Sequence, residues 1–195
     1  MQRACVAVFR GSKFDPPMND LQPRRSQEAT SHGTLHLLFR IAEQRFALDA
    51  REVAEVLPRR PLKPIAHAPA WVAGVLAHRG ALVPVIDMGA LSFGLPAPVR
   101  TSTRLVLVHY RVEPSRPDLL LGLILEQATD TLRCRPEEFQ PYGLDNHQAP
   151  YLGPVREDAH GLVQRISVQD LLNDAVRALL YPSPDAQAGE YREPQ

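Results

Sequence analysis

Residues 68–87 read Ala68-Pro69-Ala70-Trp71-Val72-Ala73-Gly74-Val75-Leu76-Ala77-His78-Arg79-Gly80-Ala81-Leu82-Val83-Pro84-Val85-Ile86-Asp87. The stretch carries the only tryptophan of the chain, two glycines and one arginine set in apolar sequence. Burying an arginine is costly unless a carboxylate or carbonyls match its fork. Gly74 and Gly80 bracket Arg79, as suits backbone that turns tightly or approaches a neighbour closely. Two readings follow: a loop displayed for recognition, or a buried arginine that closes a barrel. Residues 81–86 form an apolar, β-branched strand in which Pro84 implies an edge or a bulge. Trp71 reads as core, because a lone indole in an apolar run fills volume. Asp87 reads as the residue that caps or turns the chain after that strand.

Outward from this stretch, short strands dominate. Leu35, Leu37, Phe39 and Ile41 alternate with more polar residues, and Phe46 and Leu48 resume after Glu43-Gln44-Arg45, the pattern of a hairpin. Val53, Val56 and Leu57 follow and stop at Pro58. Residues 105–110 and 119–125 are the strongest apolar runs, separated by a proline-rich turn, and residues 151–155 and 162–166 complete the set. One helix is expected, with Ser167 as N-cap and Val168, Leu171, Leu172, Ala175, Val176 and Leu179 on one face.

Ala68-Pro69 recurs as Ala149-Pro150, and Gly80-Ala81-Leu82 as Gly161-Leu162-Val163, both at a separation of 81 residues (149 − 68 and 161 − 80). A repeated offset implies two related halves. Many short strands between turns favour barrels, because closure removes exposed edges. The residues alone therefore predict an all-β fold of two small barrels.

Composition narrows the function. Of 195 residues, 22 are Lys or Arg and 22 are Asp or Glu, so no global field draws the chain to nucleic acid or an anionic membrane. Nineteen prolines, about twice the usual ~5%, argue against a helical bundle. Cys5 and Cys134 support neither a disulfide framework nor a cysteine zinc site. The apolar run at 119–125 falls far short of the ~18 residues that cross a bilayer. The N-terminal apolar stretch is too short for a signal peptide, and Met18 is a candidate start. The reading is a cytoplasmic protein with disordered tails at residues 1–33 and 182–195 around one domain at 34–181.

No phosphate-binding glycine loop, zinc-protease or nucleophile-elbow motif is present. The seven histidines are scattered, and a trio of Cys134, His147 and His160 matches no ligand template. Neither a metal nor a cofactor is expected. The rival to a binding role is a β-barrel enzyme with Glu55, Arg79 and Asp87 around a pocket. A deep concave site would favour it, whereas a shallow exposed surface would favour a partner. A small-molecule sensor would need a large apolar cavity, which the tight Gly and Pro loops disfavour.

The run at 68–87 resembles the signature of CheW-like domains. Phe46-Ala47-Leu48 with Val53-Ala54-Glu55-Val56 upstream is similar to the family's second segment. Leu121-Gly122-Leu123-Ile124-Leu125-Glu126, Tyr151-Leu152-Gly153 and Leu162-Val163-Gln164-Arg165-Ile166 are similar to its later strands, so the resemblance spans residues 34–180. It departs where Ala77-His78 replaces the usual Asn-Leu before Arg79-Gly80, and where Glu126 replaces an Asp. These departures imply a diverged partner surface, as in alternative, non-flagellar pathways.

The resemblance implies two SH3-like five-stranded β-barrels sharing an apolar seam, with a C-terminal helix. It also implies a stand-alone, non-catalytic adaptor that binds the cytoplasmic hairpin tip of chemoreceptors and the regulatory domain of a CheA-type histidine kinase. Such an adaptor does not insert into the membrane and is recruited to its inner face through receptor arrays. Carried over by position, Val53, Glu55, Gly74, Arg79 and Gly80 belong to the receptor and kinase recognition region. Gly153 belongs near a kinase-facing surface of the second barrel, and His78 is the candidate for specificity. A Glu55–Arg79 ion pair beside the seam is expected; the alternative is a solvated Glu on a strand face.

Overall fold

The computed structural model describes residues 33–111, 114–141, 143 and 147–182. Cys5, Met18 and nearly all of the two expected tails lie outside them. Strands β1 (Thr34–Ile41) and β2 (Gln44–Asp49) form the expected hairpin, with Ile41 opposite Gln44 around the two-residue turn Ala42-Glu43. Gln44 and Arg45, expected in the turn, are therefore strand residues. Phe39, Ile41, Phe46 and Leu48 are buried, as alternation requires.

The chain continues through β3 (Val53–Pro58), β4 (Val72–His78), β5 (Ala81–Asp87), helix α1 (Met88–Phe93), β6 (Arg104–His109), β7 (Leu120–Cys134), β8 (Leu152–Asp158), β9 (Gly161–Ile166) and helix α2 (Asp174–Leu180). Two five-stranded halves share one long strand. The first half of β7 pairs with β6 and β5, giving the order β4-β5-β7-β6-β3. Its second half pairs with β1, giving β7-β1-β2-β9-β8. The changeover falls at Gln127, where φ is 46° and the β1–β7 register shifts. These are the two SH3-like barrels expected from the residues and the resemblance.

The burial pattern explains the apolar runs. In β6, Leu105 and Leu107 face the core of the first barrel with Leu57, Leu76, Val83 and Val85. Val106 and Val108 face the opposite way, into a larger core with Phe39, Phe46, Leu48 and Ile166 from the second half. In β7, Ile124 joins the first set, and Leu121, Leu123 and Leu125 join the second. Strands covered on both faces need apolar residues at every position. The larger core is the apolar seam between the barrels, and Trp71 packs half-buried against it.

The internal echo is genuine but slipped by one residue. Val72 N–H donates to Pro69 O as Leu152 N–H does to Ala149 O, and Asp87 N–H donates to Trp71 O as Ser167 N–H does to Tyr151 O. Trp71 thus corresponds to Tyr151, and Asp87 to Ser167. A strand has a period of two, so a one-residue slip would invert every side chain; backbone bonds decide the alignment.

Two local expectations change. Pro84 lies in β5 between β4 and β7, so the edge alternative fails, while the bulge alternative holds beside it, where Val72 and Gly74 face Ile86 and Val85 across a register shift. Val75, opposite Pro84, directs its N–H and C=O to Lys63, so β4 asks no donor of Pro84, and the β7 pairing begins one residue later at Val85. The C-terminal helix is also shorter than its periodicity implies. A 3-10 turn at Val168–Asp170 precedes α2, whose cap is Asn173, with Oδ1 accepting from Val176 N–H at 2.9 Å. Ser167 makes no backbone cap bond. The break turns Val176, Leu180 and Tyr181 onto the seam and leaves Ala175 and Leu179 exposed.

Arg45 ties β2 to β8 across β9 with bonds of 2.6 and 3.0 Å to Asp158. That hydrogen bond holds the Asp158 carboxyl below the usual carboxylate range. A carboxyl lowered on folding stabilises above its unfolded value and loses that contribution as pH falls through its folded one. Asp158→Asn is expected to cost about 1.5–3 kcal/mol at neutral pH. In urea unfolding the gap to wild type should narrow below about pH 4; an unchanged gap would detach the stabilisation from this ion pair.

Candidate functional site

The β4–β5 hairpin closes through Arg79-Gly80, with His78 opposite Ala81. Both turn residues have positive φ, 48° and 81°, the geometry of a type I′ turn. Asn-Gly is the usual solution there, and a long side chain at the first position carries left-handed strain of about 1–2 kcal/mol. The turn projects Arg79 outward, leaving its side chain 77% exposed. The buried-arginine reading is therefore overturned.

Arg79 Nη2 donates to Glu55 Oε2 at 2.9 Å, so the expected ion pair forms. His78 Nε2 lies 3.4 Å from the same oxygen, on a side chain only 11% exposed. Glu55 is on β3 and its two partners are at the end of β4 and in its turn, and these strands are the two ends of the β4-β5-β7-β6-β3 order. Side chains here strap together edges that share no backbone ladder. Val53, on the same strand, is half-buried against the seam, and the β3–β6 register shifts between it and Glu55.

The remaining expected residues separate. Gly74 is buried in β4 at a register shift, with φ 138°, and a Cβ there would meet Lys63 O at 2.5 Å. Its place is architectural, since it lets the segment before β4 bond to Val75. Gly153 lies in β8 of the other half, where a Cβ would stand 3.0 Å from Arg165 O. Asp87 is 4% exposed, and its carboxylate accepts from the backbone N–H groups of Gly89, Ala90 and Ala97. It caps the chain after β5, as expected, and what it caps is α1, a short helix the residues did not predict. The Glu55–Arg79–Asp87 pocket of the enzyme reading is not assembled, because Asp87 is committed to the backbone.

Cys134 packs against His36 instead of the imagined histidine partners, with Sγ 3.7 Å from Nδ1 and the Phe139 ring alongside. Burial pushes the Cys134 thiol up and the His36 imidazole down, so it favours the neutral form of both. Sequence reasoning missed two exposed apolar side chains on the strands that carry the ion pair, each on the sheet face opposite to it. Leu82 is 77% exposed just past the turn, and Val56 is 45% exposed next to Glu55. Both stood in apolar strand runs that gave no sign of facing out. An exposed ion pair can set register on a protein partner but supplies no activated nucleophile.

Comparison with known proteins agrees with the geometry. The CheW-like domain matches residues 35–176. The "Chemotaxis protein CheW" of Rhizobium meliloti (strain 1021) is 31% identical over 60% of this chain and 71% of its own length. A "Probable chemotaxis protein CheW" of Rhizobium etli is 30% identical over 54% and 64%. The scaffolding protein TtCheW from Thermoanaerobacter tengcongensis has a similar fold, with a TM-score of 0.63 at 18% identity, covering 72% of this chain and 88% of that one. The chain belongs to the CheW-like domain family.

Proposed function

We propose that the β4–β5 tip and β3 form the partner-facing surface of a chemosensory coupling adaptor, with Glu55 and Arg79 at its centre. The partners are the cytoplasmic hairpin tip of a chemoreceptor and the regulatory domain of a CheA-type histidine kinase, and recruitment to receptor arrays follows from the first. The observation that carries the reading is the exposed Glu55–Arg79 pair, held on a turn where a smaller residue would be less strained. No helix among the described residues is long and apolar enough to cross a membrane, so receptor binding would bring the chain to the bilayer. In this reading the charges set register and specificity at the partner surface. His78, sharing Glu55 Oε2, tunes which carboxylate or cation the partner meets. Such an adaptor acts by holding partners together or by favouring one kinase state.

Capture of receptor and kinase from native cytoplasmic and membrane fractions tests this directly. Arg79→Ala is expected to weaken capture about tenfold while the fold is retained. A double-mutant cycle with Glu55→Ala should show coupling of about 1 kcal/mol or more. Undiminished capture by the folded Arg79→Ala protein would remove this surface from the interface.

A further inference from the structure

A second feature lies apart from the Glu55–Arg79 tip. A cavity of about 430 Å³ opens where the end of β2, the β2–β3 turn, the segment after β6 and the end of β9 converge. Its walls are Asp49, Arg51, Glu52, Arg111, Arg165, Ile166 and Ser167. Three guanidinium groups and two carboxylates share this space, but they are not equally available.

Arg51 is engaged by Asp49: Nε and Nη2 donate to its two carboxylate oxygens at 3.0 and 2.5 Å, and the Arg51 backbone N–H adds a third bond at 2.9 Å. Burial works to raise the Asp49 carboxyl, yet these bonds hold it below the ordinary range, so that pair is closed. Arg111 and Arg165 form no ion pair among the described residues. Arg165 is half-buried, its guanidinium 5.9 Å over the Phe139 ring. The Arg111 backbone is held by Gln169 Oε1 at 2.7 Å, which leaves its side chain free of that contact.

Among the described residues that line the cavity, Glu52 is the only carboxylate left to oppose the two arginines. Desolvation, then the Asp49 charge, pushes its carboxyl above the usual range, while Gln169, Arg165 and Arg111 pull it back. Counted over the described lining, three guanidinium groups face two carboxylates, a surplus of one positive charge. A half-buried, unpaired guanidinium is costly unless a ligand completes its fork. A phosphate dianion would face both Asp49 and Glu52, whereas a single carboxylate matches the residual charge and the planar fork.

We propose that this cavity is a binding site for one carboxylate group, held by Arg165 and Arg111. The carboxylate comes either from a free small organic acid or from an acidic side chain of a bound protein. Neither source depends on the Glu55–Arg79 reading. The cavity volume suits a small acid or a single acidic side chain.

Acetate, titrated into the full chain at constant ionic strength and followed by amide NMR, is the probe. Saturable shifts are expected at Glu52, Arg111 and Ser167, with phosphate weaker than acetate. Arg165→Gln should weaken acetate binding about tenfold. The Arg111→Gln/Arg165→Gln double variant should abolish it, and Glu52→Gln should tighten it several-fold by removing the competing carboxylate. Circular dichroism of each variant separates lost binding from lost fold. Shifts that do not saturate, or that persist in the folded double variant, overturn the site. If acetate binds as expected, receptor and kinase capture by Arg165→Gln assigns the source. Reduced capture places the carboxylate on the partner, and unchanged capture makes it a free acid. Failure of the acetate titration leaves the Glu55–Arg79 surface untouched, since that surface is tested by Arg79→Ala.

Discussion

Replacing Gly74 with alanine is expected to cost about 3–5 kcal/mol, enough to unfold much of the population of a domain of ordinary stability. Two effects add. With φ at 138°, any side chain is strained, at about 1–3 kcal/mol. The new Cβ would also lie 2.5 Å from Lys63 O and 3.0 Å from its carbonyl carbon. Backbone yields less than a flexible side-chain end, and this backbone is held by a reciprocal pair of bonds, Lys63 N–H to Val75 O at 3.0 Å and Val75 N–H to Lys63 O at 2.8 Å. Relief of the clash would break that bridge. Gly80→Ala is the control: it shares a positive φ, but nothing lies within 4 Å of its Cβ, so about 1 kcal/mol is expected. Urea unfolding of both variants checks the contrast. Equal losses would mean that strain alone matters and the close approach at Lys63 contributes nothing.

Asp87→Ala is expected to cost about 3–4 kcal/mol, the other large effect. Asp87 Oδ1 accepts from Gly89, Ala90 and Ala97 N–H at 2.9, 3.1 and 3.1 Å, and Oδ2 accepts from Ala97 N–H at 3.0 Å. Truncation removes the cap of α1 and strands donors in a buried place, at about 1–3 kcal/mol for each that water cannot reach. Asp87→Asn keeps one acceptor oxygen and should fall between wild type and alanine. Thermal unfolding of the three proteins orders them. An alanine variant as stable as wild type would mean that water replaces the carboxylate and that α1 needs no cap. A fold defect with partner capture intact in the surviving folded fraction would match a structural Asp87.

Much of this site was legible in the residues because two local rules apply there. Gly80 beside Arg79 suits a tight turn, though only the strand pairing shows that it is a two-residue hairpin, and the lone Glu55 in an apolar strand is a natural partner for a lone arginine. The carboxylate cavity was not legible. Asp49, Arg51 and Glu52 are neighbours in sequence, but Arg111 and Arg165 reach them only through strand pairing, and no spacing rule anticipates that. The same reason hid the second half of β7. Residues 126–134 are largely polar, since that stretch pairs with β1 and keeps one side open, whereas residues 120–125 are flanked by both β5 and β6.

From its sequence alone this protein was bound to be a mostly-β chain of two related halves, with a hairpin turning between Ile41 and Phe46, a tight turn near Gly80 and its buried faces set by alternation. These are properties of neighbouring residues: period-two burial, positive-φ turn chemistry and the exclusion of proline from helix interiors. Tertiary structure decided the rest. It chose which apolar positions face out, as at Leu82 and Val56, because exposure depends on what the opposite strand leaves uncovered. It set the true offset of the internal repeat, which only backbone bonds can register. It also placed His78 on the same oxygen as Arg79, and brought Arg111 and Arg165 to one cavity. Charges distant in sequence interact only once the sheet has fixed their separation, and Coulomb energy depends on that distance alone and on the burial that accompanies it.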